Sequence, residues 1–79
     1  MIGSIIRRMR KDKGLTQDKI GKYLGKKENT ISQWETGTIE KLTFNDIEII
    51  ADLCDYEILF KNKKTGEIIT SRNIERKEL

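Results

Sequence analysis

Residues 15–37 read LTQDKIGKYLGKKENTISQWETG, and the spacing within this stretch decides the fold. Thr16 is placed to cap a helix, Leu15 and Ile20 occupy the two positions of a hydrophobic staple, and Ile20, Tyr23 and Leu24 mark an inward stripe up to Gly25. Beyond the turn Gly25-Lys26-Lys27, Ile31 and Trp34 stand three apart and predict a short helix that ends before Gly37. Two helices that cross steeply through so short a turn need a small residue at the point of contact, here Gly21. The turn itself needs a residue that tolerates left-handed φ, here Gly25. With Ile20, Leu24, Ile31 and Trp34 as anchors, the second helix of the pair leaves Lys27, Glu28, Asn29, Thr30, Ser32 and Gln33 facing outward.

Upstream, Ile2, Ile5, Ile6 and Met9 fall at helical spacing and are surrounded by Arg7, Arg8, Arg10 and Lys11, so residues 2–13 predict an amphipathic helix closed by Gly14. Downstream, Thr43 and Asp46 form a capping-box pattern, Leu42 and Ile47 a second staple, and Ile47, Ile50, Ala51 and Cys54 an inward face. A fourth helix over about 44–54 follows. From Tyr56 the period changes to two, and a hairpin with strands near 56–60 and 67–71 is expected around Gly66. Residues 72–79 read as a frayed tail. The expected organisation is therefore mainly α: a helical domain over 1–55, a β-hairpin over 56–71 and a tail.

Composition narrows the function. The 79 residues include no His, no Pro and one Cys, so disulfide, zinc and histidine-based nucleophilic chemistry lack their usual groups, and neither cofactor nor metal is expected. An enzyme is not expected. No apolar run approaches the ~20 residues that span a bilayer, and the order of charges at the amino terminus is the reverse of a signal peptide; a cytoplasmic location without membrane contact is the expectation. Charge is unevenly placed: residues 1–27 carry +7, residues 28–60 carry −7 and residues 61–79 carry +3. That asymmetry fits a nucleic-acid or acidic-membrane partner for the basic third, and equally a basic first helix packed on acidic helices. Tyr23 reads as a core or rim residue, Trp34 and Cys54 as core.

Leu15-Thr16-Gln17, Gly21, Gly25, Ile31 to Glu35 and Gly37 together resemble the helix-turn-helix family of phage repressors and their bacterial relatives, the Cro/CI or XRE family, over roughly residues 4–55. The resemblance implies a lambda-repressor-like domain of four short helices, with the third helix in the major groove of double-stranded DNA and the start of the second on the phosphate backbone. It implies base contacts from Glu28, Asn29, Thr30 and Gln33, and phosphate contacts from Gln17 and from Thr36, Thr38 and Lys41 in the following loop. Arg10 and Glu35 match an ion pair that ties helix one to the end of helix three. Lys26 and Lys27, with Lys22 and with Arg7 or Arg8 according to which way their face turns, add phosphate neutralisation.

Two departures stand out. Lys27 replaces the Ser or Thr that usually caps the recognition helix, at a cost of about 1 kcal/mol, and the hairpin stands where many relatives carry a fifth helix. The implied function is a sequence-specific transcriptional repressor that binds a palindromic operator as a homodimer, with Tyr56, Ile58, Phe60, Ile68 and Ile69 of the hairpin as the expected dimer surface. The alternative is an antitoxin-like module that engages a protein partner, with DNA binding secondary; a nonspecific nucleic-acid binder is a third reading.

Overall fold

The computed structural model describes residues 1–70; the predicted tail, and Ser71 at the end of the second expected strand, lie outside the described residues. Four helices, α1 (Ile2–Lys13), α2 (Gln17–Leu24), α3 (Glu28–Glu35) and α4 (Phe44–Leu53), precede two strands, β1 (Phe60–Lys61) and β2 (Ile68–Ile69). Local chemistry sets the helix ends. Gly14 closes α1 with φ 77° and Gly25 closes α2 with φ 71°, both left-handed. The Thr16 hydroxyl accepts from the Lys19 N–H at 3.1 Å, and Thr43 and Asp46 exchange reciprocal side-chain to backbone bonds at the start of α4.

Ile6, Met9, Ile20, Ile31, Trp34, Ile50, Ala51 and Cys54 form one buried cluster, flanked by the half-buried Ile2, Leu15, Leu24, Leu42, Leu53 and Ile58. Each helix thus contributes most of its predicted inward stripe; Ile47 is half-buried outside this cluster, and two further residues are exposed. Ile5 is 53% exposed and Tyr23 66% exposed. Ile5 lies about 100° around α1 from Ile6, on the side turned away from α3. Gly3, unremarked in the sequence, is buried: a Cβ there would lie 2.3 Å from the Trp34 carbonyl oxygen, so α1 and the end of α3 approach as closely as backbones allow.

The hairpin is shorter than the sequence suggests. Phe60 pairs with Ile69 and Lys61 with Ile68, antiparallel, while residues 56–59 are not in a regular ladder. Their attachments explain why. The Tyr56 N–H bonds back to the Ala51 carbonyl at 2.8 Å, the Tyr56 hydroxyl donates to Asp12 at 2.6 Å, and Ile58 packs on the helical core, so this run follows the helices first. The turn closes through Asn62, whose side-chain oxygen accepts from the Lys64 and Thr65 N–H groups, and through Gly66 at φ 80°.

Candidate nucleic-acid interface

The sharp junction between α2 and α3 positions the start of α3 and the candidate contact residues it carries. At Gly21 a Cβ would lie 2.6 Å from the Lys26 carbonyl oxygen, so only a bare Cα permits the turn to fold back this tightly. The Lys26 N–H completes it by donating to the Gly21 carbonyl at 2.7 Å. Lys27 takes the extended N-cap conformation without a side-chain cap bond, and Glu28 in the first turn supplies the negative charge that the helix dipole favours there. Ile31, Trp34 and Glu35 are buried, which leaves Glu28, Asn29 and Gln33 exposed and Thr30 and Ser32 half-buried. The outward face of α3 is wholly polar.

The end of α3 is fixed by a three-residue network. Arg10 donates from Nε to Glu35 Oε2 at 2.6 Å and from its terminal nitrogen to Oε1 at 3.0 Å, and its remaining nitrogen reaches the Leu15 carbonyl at 2.8 Å. Gln17 donates its amide to Glu35 Oε1 at 3.0 Å. Burial pushes the Glu35 carboxyl up, but donation from Arg10 and Gln17, with the Arg10 charge, outweighs it and holds the group below its ordinary value. Thus α1, the start of α2 and the end of α3 are locked to one carboxylate. Gln17, expected against phosphate, is held in place by this bond and keeps a second amide N–H free of the network.

Beside this network is a hollow of about 430 Å³ lined by Arg7, Arg10, Lys11, Thr16, Gln17, Glu35 and Thr36. Arg7 therefore turns toward the amino end of α2, whereas Arg8 bonds Asp12 at 2.9 Å on another face of α1. Lys11 was not among the expected contacts, although its spacing four residues after Arg7 places both on one face. Lys22 bonds Asp18 at 3.2 Å and is largely exposed. Lys26, Lys27, Thr38 and Lys41 are exposed around the two ends of α3, Lys41 with a left-handed φ of 65°. The Thr36 hydroxyl donates to the Ser32 and Gln33 carbonyls, finishing α3.

The sequence profile of the helix-turn-helix family matches residues 6–60. The chain belongs to this family, in its Cro/CI or XRE form. No curated protein and no solved structure matches it. The matched span of this helix-turn-helix protein contains the candidate contact residues and stops at the first residue of β1. Membership makes it a DNA-binding transcription regulator, and the α3 surface has suitable chemistry: Asn and Gln amides pair two-pronged with adenine, and a Glu carboxylate accepts from cytosine N4. Among the described residues no helix is long and apolar enough to cross a membrane.

Proposed function

We propose that this helix-turn-helix protein is a repressor that binds a palindromic operator as a homodimer and acts by occupying it. The observation that carries the reading is the outward face of α3, polar throughout and pinned at both ends, by the Gly21 contact and by the Arg10–Glu35–Gln17 network. In this reading α3 enters the major groove. Asn29 and Gln33 bond base edges, Glu28 accepts from a cytosine amine, and Thr30 completes the contact at the helix start. The amino end of α2 rests on the backbone with Gln17, Arg7 and Lys11, while Lys26, Lys27, Thr38 and Lys41 neutralise phosphates at either end of α3. Thr36 joins them by exchanging its bond to the helix carbonyls for one to phosphate. A single recognition helix spans few base pairs, so two copies on half-sites one helical turn apart supply the specificity. The reading assigns no catalytic step and places the protein in the cytoplasm with its DNA.

Selection of bound sequences from a randomised duplex library at near-physiological salt tests this. An enriched inverted repeat with half-sites about 34–36 Å apart is expected. Retention without sequence preference would refute it, as would a folded protein that enriches nothing; the antitoxin-like reading would then take precedence.

A further inference from the structure

The run Glu57-Ile58-Leu59-Phe60-Lys61 combines three properties that point to one occupant. The first is an outward backbone edge. The Asn62 N–H donates to the Glu67 carbonyl at 2.7 Å, and in an antiparallel ladder the direction of the backbone groups alternates by residue. Phe60 therefore turns its N–H and C=O toward β2, and Leu59 and Lys61 turn theirs away. Among the described residues the backbone groups of Glu57 and Leu59 make no hydrogen bond. Such an edge is a template for another strand.

The second property is apolar exposure on this arm, where Leu59 is 46% and Phe60 58% exposed. The Phe60 ring stacks on Phe44 at 6.4 Å between centroids, at the margin of an apolar groove of about 800 Å³ that also includes Ile5 and Ile58. The third is charge. Glu57 and Lys61 have no ion-pair partner among the described residues. Laid antiparallel against itself about Leu59, the run sets Glu57 opposite Lys61, Ile58 opposite Phe60 and Leu59 opposite Leu59. Opposite charges and aromatic–aliphatic pairs are the cross-strand neighbours that stabilise a sheet. Leu59 and Lys61, whose backbone groups face outward, are among the residues this register joins by hydrogen bonds, with Glu57 as the partner of Lys61.

We infer that the occupant is a second copy of this chain, joined by residues 57–61 across a two-fold axis at Leu59 so that two hairpins merge into one four-stranded sheet. The inference rests on the homodimer of the proposed function and supplies its interface. Of the dimer surface expected from the sequence, that interface uses Ile58 and Phe60 on the β1 arm and leaves Ile68 and Ile69 of β2 outside it. Arg7 and Lys11 lie on a different face of α1 from Ile5 and Arg8, which border the groove, so the phosphate hollow stays open in the dimer.

The test is a charge-swap cycle on the full chain, read by sedimentation equilibrium with far-UV circular dichroism as a folding control. Each single reversal, Glu57→Lys or Lys61→Glu, puts like charges together at two symmetric positions and should raise the dimer dissociation constant about fivefold or more. The double variant restores opposite pairs with the signs exchanged and should return the constant to near the starting value. A dimer indifferent to the single reversals, or a double variant no better than the worse single, would overturn the register. The homodimer would then stand on another surface, such as the α1–α4 groove. A wild-type chain that stays monomeric over its soluble range would overturn both.

Discussion

Replacing Arg10 by Met keeps an apolar stem and removes the charge from the centre of the interface scaffold. The Glu35 side chain is 2% exposed and that of Arg10 11%, so the carboxylate would remain in a site that water scarcely reaches, with Gln17 as its remaining donor. The Leu15 carbonyl would also lose its bond. Breaking a buried pair from one side costs about 3–5 kcal/mol. A chain of 79 residues has about 4–12 kcal/mol in total at ~0.05–0.15 kcal/mol per residue, so Arg10→Met would remove much of the stability. At ~4–8 °C per kcal/mol for a domain of this size, the melting temperature falls by roughly 12–40 °C. Urea unfolding followed by circular dichroism measures the loss. Arg10→Met/Glu35→Gln, which leaves neither charge, should recover part of it. A loss for Arg10→Met below about 1 kcal/mol, the value of an exposed pair, would refute the reasoning, as would a double variant no more stable than the single.

The same carboxylate predicts a pH dependence. Because the folded protein holds Glu35 below its ordinary value of 4.5, its contribution is complete above that value and is lost as pH falls through the lower folded one. The stability gap between wild type and Glu35→Gln should therefore be constant near neutrality and close on acidification; a gap that widened in acid would contradict the assignment. Gly3→Ala places a methyl group against the Trp34 and Glu35 carbonyls and should cost roughly 1–3 kcal/mol in a thermal melt, whereas an unchanged melt would show that α1 can move aside freely. Arg7→Ala/Lys11→Ala should lower the slope of log affinity against log salt by about 2 on every duplex sequence, with Arg8→Ala as an unchanged control. Equal slopes for all three would remove the hollow from the DNA contact surface.

What the sequence disclosed was whatever local chemistry enforces. Gly14, Gly25, Thr16 and Thr43 punctuate the helices by bonds to near neighbours, so their ends were legible, and Ile6, Ile20, Ile31 and Trp34 were legible as core because period alone marks them. Features that depend on a distant partner were not. Gly3 sits inside a helix with no turn signal, and its role exists only because the end of α3 lies against it. Ile5 satisfies the apolar pattern of α1, but its side of the helix borders an open groove toward α4 and the β1 arm, and the side chain stays half exposed. The alternation from Tyr56 onward fits a strand, yet Tyr56 and Ile58 are drawn onto the helical body and the ladder is reduced to two pairs. At the interface, residue types named the chemistry of α3. Which of Arg7 and Arg8 lines the hollow beside Gln17, and that Lys11 does too, depended on how α1 is rotated against α2.

The most direct measurement of the central claim compares wild type with Gln33→Ala across the selected operator and every single base-pair change in one half-site. If α3 reads bases, the variant loses discrimination at one position in each half-site by about 1–3 kcal/mol, or roughly 5–150-fold in affinity ratio, and keeps its preferences elsewhere. Uniform weakening on all duplexes, with the preference profile intact, would contradict the account.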